Sequence, residues 1–199
     1  MRVVKIGGSL IDYAHVVMTE LNKHSVLIVP GGGVFADVVR NAQKKHGFSD
    51  ETAHKMAVLA MEQYGHFLGD ISGVSLSHDF RHVRKTSIFL PFNEIIHNSG
   101  LHCTWDVASD TIACYVAHKL GEKEFIKLTD VDGILVNNKP IDSISAGKLL
   151  NTTTCLDKSL SSYLQEWKMN CRVVNGKSKS NIKKALIGES IGTLVTGGK

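Results

Sequence analysis

Short apolar runs alternate with longer stretches whose apolar residues recur at helical spacing, along nearly the whole chain. The first run, Arg2–Ile6, is rich in β-branched residues and stops at two glycines, which is typical of a buried strand. The next stretch, residues 10–23, has helical spacing. The same criteria predict strands over 26–29, 87–90, 125–128, 134–136, 172–174 and 193–196, and helices over 34–46, 49–68, 107–120, 158–168 and 182–187.

This alternation of strands and helices predicts an α/β fold, with helices on both faces of a sheet. The 199 residues fit a single domain over 1–199, because no linker or internal repeat interrupts the pattern. A hydrophobic content of 43% with only 3 prolines excludes a disordered or collagen-like chain.

Charge, cysteine usage and hydropathy narrow the class of protein further. The net charge of +4 comes from scattered lysines and arginines, so we expect no nucleic-acid partner. The 4 cysteines form no CxxC pair and are expected to be free thiols in a reducing cytoplasm. The sequence has no signal peptide and no apolar run of about 18 residues, so we expect no membrane partner and a cytoplasmic location.

Two glycine-rich turns each follow a predicted strand and precede a predicted helix. They are Lys5-Ile6-Gly7-Gly8-Ser9 and Pro30-Gly31-Gly32-Gly33. Glycine lets backbone N–H groups approach an anion closely, and a helix N-terminus adds partial positive charge. A single such turn is equally well explained as a tight connection. Two of them, one preceded by a lysine, favour phosphate binding.

Two common nucleotide motifs fit poorly. Gly176-Lys177-Ser178 has the tail of a P-loop, but Cys171 stands where that motif needs its first glycine. Residues 31–36 fit a dinucleotide fingerprint, but the acidic pair about twenty residues on starts a helix rather than ending a strand. A nicotinamide-dependent oxidoreductase is therefore a weaker alternative.

A third signal follows the strand predicted at 125–128. Thr129-Asp130-Val131-Asp132-Gly133 places polar residues at the carboxyl end of a strand, where open α/β sheets bind ligands. The alternative is a plain hairpin turn, since Asp-Gly is common in turns.

Taken in order, these motifs resemble the amino acid kinase family. The matching set also includes Ser109-Asp110-x-x-Ala113, and the resemblance spans the chain from Val3 to Val195. Within the family, the chain is most similar to a short branch that phosphorylates an aminomethylfuran phosphate in methanofuran biosynthesis. The residues behind this similarity are 53–57, 60–65, 105–110 and 173–177.

The resemblance implies a three-layer α/β/α sandwich with a mainly parallel central sheet. It places the acceptor over residues 1–120, approximately, and ATP with Mg²⁺ over residues 121–199. Lys5 would contact the transferring phosphoryl group, and Asp110 would hold that lysine. The implied ATP-binding residues are Gly7, Gly8, Ser9, Thr129, Asp130, Asp132, Gly133, Asn175, Gly176 and Lys177. The implied acceptor-binding residues are Gly31, Gly32, Gly33, Met56, Tyr64, Trp105, Asp106 and Ser109.

One departure from the family concerns its second catalytic lysine, which usually follows a Gly-Met pair. That pair is absent here, and the position falls on Asp157, with Lys158 beside it. Lys158 is the candidate for this catalytic role, and Lys177 is the alternative. No protein ligand for a metal is implied, because Mg²⁺ would be held by the ATP phosphates.

The predicted function is an ATP-dependent kinase that converts a small phosphomonoester to its diphosphate, acting as a homo-oligomer. Alternatives are another acceptor (isopentenyl phosphate, uridylate or an amino acid) and a non-catalytic nucleotide or oxyanion storage subunit. Asp106 is expected to pair with an amino group on the acceptor, or else only to cap the following helix. His78 and His82 have the spacing of zinc ligands on a helix, but are expected to be surface or packing residues.

Overall fold

The centre of the molecule is an eight-stranded sheet with the strand order β3-β4-β2-β1-β5-β9-β10-β8. A computed structural model gives this fold and describes residues 1–136, 139–149 and 154–198. The strands are β1 Arg2–Ile6, β2 Val26–Pro30, β3 Ser75–Ser77, β4 Ser87–Phe89, β5 Glu124–Thr129, β6 Leu135–Val136, β7 Lys139–Pro140, β8 Ser143–Ser145, β9 Asn170–Asn175 and β10 Thr193–Thr196. Strands β6 and β7 form a separate antiparallel pair.

The helices connect these strands and cover both faces of the sheet. They are α1 Ala14–Leu21, α2 Gly33–His46, α3 Asp50–Ser72, α4 Phe92–His97, α5 Ser109–Lys119, α6 Leu160–Trp167 and α7 Lys179–Ile187. Short 3₁₀ helices span Gly8–Tyr13 and Ala146–Leu149. The predicted helix over 10–23 is thus a 3₁₀ turn followed by a shorter α-helix.

Alternating residues of the central strands enter two separate cores. Val3 and Phe125 pack with α4, α5 and α6 on one face, whereas Val4 and Ile126 pack with α1 and α7 on the other. This alternation follows from the two-residue period of a strand. The result is the predicted three-layer α/β/α sandwich, and the mainly parallel sheet is confirmed, with β10 running antiparallel to β9.

Several local predictions agree with the structure to within a few residues. Gly47 ends α2 in the left-handed conformation with φ 69°, as a C-terminal glycine commonly does. Ser49 caps α3, its hydroxyl accepting a hydrogen bond from the N–H of Thr52. The sequence pattern did not predict β3, α4, β7 or β8, which have six residues or fewer. No described helix is long and apolar enough to cross a membrane.

Candidate active site

The two glycine turns meet at the carboxyl edge of the sheet. Strands β2, β1, β5 and β9 are neighbours and parallel, so the segments that follow them emerge at the same edge. Gly31 donates its N–H to the carbonyl of Ile6 at 2.8 Å, which ties the two turns together. A Cβ atom on Gly8 would lie 2.1 Å from the Cα of Gly33, so the backbones touch where no side chain fits.

A buried ion cluster lies on the α5 face of β1 and β5. Lys5 and Lys127 are register partners on these strands, and the Asp110 carboxylate lies between them. The Lys5 Nζ is 2.8 Å from Asp110 Oδ1, and the Lys127 Nζ is 2.5 Å from Asp110 Oδ2. Lys127 also donates to the carbonyl of Cys155. Asp110 thus holds Lys5, as the resemblance implies, but it holds a second lysine as well.

Asp157 joins this cluster to the N-terminus of α5. Its Oδ2 accepts the N–H of Asp110 at 2.8 Å and the N–H of Thr111 at 3.0 Å. In return, the N–H of Asp157 donates to Asp110 Oδ2 at 3.2 Å. The residue that precedes α5, Ala108, has no side chain able to cap the helix. A carboxylate from a distant part of the chain therefore supplies the cap.

The pKa values of the two carboxyl groups in this cluster are shifted in opposite directions. Burial favours a raised pKa for Asp110, but the charges of Lys127 and Lys5 outweigh it and hold the pKa below its usual value. Burial, together with the negative charge of Asp110, raises the pKa of Asp157 to about 7. Burial disfavours the Lys127 ammonium, yet Asp110 overcomes this and raises the pKa of that lysine. Asp110 is therefore ionised at neutral pH, and Asp157 titrates near it.

A cavity of about 280 Å³ opens beside the glycine turns. Six residues predicted for the acceptor or nucleotide site line it: Gly8, Ser9, Gly32, Gly33, Trp105 and Ser109. Its apolar wall is formed by α2, α3 and α5, including Ala36, Val58, Met61 and Ile112. The cavity therefore combines an apolar wall with the two glycine turns, and its size is that of a small molecule.

Other predicted acceptor residues lie away from this cavity. Tyr64 is fully buried in the core with α1 and stacks on Phe67, and Met56 is 38% exposed on α3. Ala57 and Met61 line the cavity from that helix instead. Gly31 does not line it either; its role is the hydrogen bond between the two turns.

Asp106 and Lys158 form an exposed ion pair outside the cavity lining. Their side chains are 56% and 87% exposed, and the Lys158 Nζ is 3.4 Å from Asp106 Oδ1. Asp106 is not the N-cap of α5, because the helix begins at Ser109 and takes its cap from Asp157. The alternative interpretation of Asp106 as a helix cap is therefore wrong.

The predicted nucleotide residues gather where β5 and β9 end. Asn175 donates to Asp132 Oδ1 at 2.7 Å, and the N–H of Lys177 donates to Asn175 Oδ1 at 3.0 Å. A hydrogen bond from Ser9, with the charge of Lys177, holds the pKa of Asp130 below its usual value. Thr129 ends β5 and is largely buried.

At two of the predicted nucleotide-binding glycines, close packing leaves no room for a side chain. A Cβ on Gly133 would lie 2.5 Å from Thr193 Oγ1, and a Cβ on Gly176 would lie 2.6 Å from Leu10 Cδ1. Gly7 donates its N–H to the carbonyl of Leu128 at 2.8 Å. A second cavity of about 210 Å³ lies beside Gly133 and Cys155.

The histidines at 78 and 82 do not share a helix face, contrary to the spacing of zinc ligands on a helix. His78 and His82 are exposed in the segment between β3 and β4, which is not helical, and His82 lies 2.7 Å from Asp79. Within the described ranges, no group of three or more His, Cys, Asp or Glu residues is placed to hold a metal ion.

Five residues around the site were not predicted as functional: Lys127, Asp157, Asp37, Arg40 and His54. Lys127 interrupts an apolar strand, and that charge in a buried run was the signal for a buried ion pair. Asp37 follows Gly33 by one helical turn, so the helical period could have placed it near the glycine turns. His54 lies within residues 53–57, which carry the similarity to the short branch of the family, and this was the signal that could have singled it out.

Glycine turns beside a buried Lys–Asp–Lys cluster, at the carboxyl edge of an α/β/α sheet, are an arrangement suited to phosphoryl transfer. The model of the amino acid kinase family matches residues 88–175. A (5-(aminomethyl)furan-3-yl)methyl phosphate kinase from Methanocaldococcus jannaschii is 31% identical, over 95% of this chain and 94% of its own. A uridylate kinase from Methanobrevibacter smithii is 22% identical over 97% of each chain.

The fold is also found in a solved structure. The crystal structure of a uridylate kinase from Archaeoglobus fulgidus superposes with a TM-score of 0.74 at 20% identity, covering 98% of this chain and 100% of its own. The fold, the site and these relatives define a phosphotransferase. The chain belongs to the amino acid kinase family.

Proposed function

We propose that this protein transfers the γ-phosphoryl group of ATP to the phosphate of (5-(aminomethyl)furan-3-yl)methyl phosphate, giving the diphosphate for methanofuran biosynthesis. The observation that supports this most is the 31% identity, over nearly the full length of both chains, to the kinase named for that acceptor. The 280 Å³ cavity beside the glycine turns is of a size for such a single-ring acceptor.

The proposed chemistry needs positioning and charge more than a general base. The acceptor oxygen belongs to a phosphate and is anionic at neutral pH, so no proton has to be removed before it attacks. The bond from this oxygen to the γ-phosphorus forms as the bond to the β,γ-bridging oxygen of ATP breaks. Lys5 and the N–H groups of Gly8 and Gly32 would stabilise the charge on the transferring group.

The donor would bind where β5 and β9 end. Asp130, Asp132, Asn175 and Lys177 lie there, and ATP would extend from them toward the glycine turns. Mg²⁺ usually keeps several waters and binds substrate phosphates with one or two carboxylates. Mg²⁺ is therefore proposed to be held mainly by the ATP phosphates. Asp130 and Asp132 are the carboxylates that would lie beside it.

Lys158 is the proposed second cation. It follows Asp157, which lines the acceptor cavity, and its long exposed side chain lies 3.4 Å from the exposed carboxylate of Asp106. Lys177 lies near Tyr13, with its Nζ 5.5 Å from the ring centre, on the nucleotide side. A single domain over 1–199, assembly into a homo-oligomer and a cytoplasmic location stay predictions.

The test is a panel of acceptors incubated with ATP and Mg²⁺, with products followed by mass. The panel holds the aminomethylfuran phosphate, its dephosphorylated alcohol, isopentenyl phosphate and uridylate. We expect a diphosphate from the aminomethylfuran phosphate, no product from the alcohol, and far slower turnover of the other two. Binding of ATP with no turnover of any acceptor would favour the storage role instead.

A further inference from the structure

An aspartate and an arginine on α2 line the acceptor cavity beyond the glycine turns. Asp37 follows Gly33 by four residues, so the two share one face of α2 and are separated by about 6 Å along the helix axis. Arg40 follows Asp37 by three residues and also lines the cavity. An acceptor whose phosphate lies at the glycine turns would therefore extend toward this pair.

The Asp37 carboxylate has one ionic partner and is otherwise exposed. Arg40 Nη1 lies 2.5 Å from Asp37 Oδ1, and no other hydrogen bond reaches Asp37 from the part of the chain that the structure describes. The Arg40 guanidinium lies over the ring of Trp105, 4.9 Å from its centre. Trp105 in turn donates its indole N–H to Gln43 at 2.6 Å. Both members of the ion pair are more than half exposed, so a ligand can reach the Asp37 carboxylate.

A buried histidine in the cavity wall provides a second hydrogen-bond acceptor. His54 is only 2% exposed, and its Nδ1 lies 3.0 Å from the carbonyl oxygen of Thr104. Because a carbonyl oxygen only accepts, Nδ1 holds the ring proton and Nε2 keeps a lone pair. That Nε2 is buried and makes no well-formed hydrogen bond among the described residues, although the Val107 backbone lies close enough to raise the pKa of the ring. Burial outweighs this and lowers the pKa of His54, which favours the neutral ring.

On the basis of the proposed function, we propose that this end of the cavity recognises a protonated primary amine on the acceptor. Asp37 would be its counter-ion, and His54 Nε2 would accept a second hydrogen bond from it. The wall thus offers a carboxylate and a neutral nitrogen acceptor, and an ammonium group brings three N–H donors and one positive charge. A phosphorylated acceptor without an amine would leave the second oxygen of Asp37 without a cationic partner.

This assignment replaces Asp106 as the expected partner of the amine. Asp106 does not line the cavity and already pairs with Lys158. Asp37 has the placement that the earlier expectation required. The two assignments therefore predict different outcomes: an amine-specific loss in Asp37→Asn if Asp37 binds the amine, and in Asp106→Asn if Asp106 does.

The experiment compares two acceptors that differ only in the amine: the aminomethylfuran phosphate and its analogue with a methyl group in place of the aminomethyl group. kcat/KM is measured for the wild type, Asp37→Asn, Asp106→Asn and Asp70→Asn. Asp70 is exposed on α3 and does not line the cavity, so its variant is a matched control for loss of one surface charge. Calorimetry without ATP measures acceptor binding directly, and thermal unfolding checks that each variant is folded.

For Asp37→Asn we expect kcat/KM for the aminated acceptor to fall about 10- to 100-fold, or roughly 1.4–2.8 kcal/mol. The methyl analogue should be turned over as well as by the wild type or better, and Asp70→Asn should match the wild type on both. Equal losses on both acceptors in Asp37→Asn would overturn the proposal. An amine-specific loss in Asp106→Asn alone would overturn it in favour of Asp106.

The wild-type enzyme separates this proposal from the proposed function. Turnover of both acceptors at equal kcat/KM contradicts the amine site and leaves the kinase activity standing. Turnover of neither acceptor contradicts the proposed function, and the amine site falls with it.

Discussion

At the scale of single residues, one carboxylate balances two ammonium groups in the interior. Asp110 lies between Lys5 and Lys127, and the exposed fractions of the two lysines are 6% and 3%. Buried charges of this kind persist only where partners and hydrogen bonds compensate for the lost hydration. With two ammonium groups and one ionised carboxylate, Lys5, Lys127 and Asp110 together carry a net positive charge next to the turns where phosphate is proposed to bind.

Lys5→Met and Lys127→Met form a matched pair, since each removes one ammonium from Asp110. Both should lower the free energy of unfolding, by about 3 kcal/mol, because a buried ion pair is broken. Lys5→Met should also lower kcat by roughly 10²–10³, the loss typical of one electrostatic contact with the transition state. Urea denaturation and kcat measurements separate the two effects. An equal loss of kcat in Lys127→Met would show that Lys5 has no special role.

At the scale of elements, the caps of α3 and α5 differ in origin. Ser49 is adjacent to the helix that it caps, whereas Asp157 is 47 residues from Asp110, whose N–H it accepts. A local cap can be recognised in a sequence because its position relative to the helix is fixed. A remote cap depends on the tertiary fold, and this is why Asp157 was noticed only as the position of a missing lysine.

Asp157→Ala should lower stability by about 1 kcal/mol through loss of the cap, whereas Asp157→Asn keeps an oxygen that can accept both N–H groups. The pH dependence adds a second signature. The pKa of Asp157 is about 7 in the folded chain, above its ordinary value of 3.8, so its contribution is present below pH 4 and is lost as the pH rises toward 7. Asp157→Asn lacks this loss, so it should gain stability relative to the wild type between pH 4 and 7.

The pH dependence of stability can be measured directly for Asp157. Urea denaturation of the wild type and Asp157→Asn at several pH values gives the difference in free energy of unfolding at each pH. In the wild type the pKa of Asp110 lies below its usual value, so its own titration falls below the interval from pH 4 to 7 that is compared. A difference that does not change with pH would mean that Asp157 is ionised throughout.

Because the two glycine turns are in contact, we expect a large loss of activity and stability in Gly8→Ala. The added methyl would lie 2.1 Å from the Gly33 Cα, so one turn has to move, and we expect loss of both phosphoryl transfer and several kcal/mol of stability. Gly47→Ala is the control, because its methyl meets nothing within 4 Å and only the left-handed φ of 69° is strained. That strain should cost about 1–2 kcal/mol. Activity and melting temperature near those of Gly47→Ala would contradict this account.

At the scale of the whole molecule, the helical layers and the central sheet were predictable from the sequence, because helices and strands each have a characteristic period of apolar residues. Val3 and Val4 enter opposite cores because strand side chains alternate, and a run that is apolar throughout indicates burial on both faces. The antiparallel placement of β10 beside β9 has no local signature. The site followed the same division: Lys5 and Asp110 belong to recognisable motifs, whereas Arg40 and His54 reach the cavity only through the packing of α2 and α3.

A test of the single-domain prediction is to produce residues 1–120 and 121–199 as separate fragments. We expect neither to unfold cooperatively alone, because β1 would lack β5 and α5 would lack Asp157. Mixing the two fragments should restore a cooperative transition, followed by circular dichroism. Cooperative unfolding of the first fragment by itself would indicate two independent domains.

The place of β1 in the sheet has a consequence for synthesis on the ribosome. This strand emerges before the other strands of the sheet, yet one of its two neighbours, β5, begins at Glu124. At about 5–20 residues per second, the edge of β1 stays unpaired for roughly 10 s after β2 has joined it. An apolar strand with one open edge is a template for pairing with another chain. The nascent protein is therefore most exposed to aggregation while the residues between β2 and β5 are translated, before β5 pairs with β1.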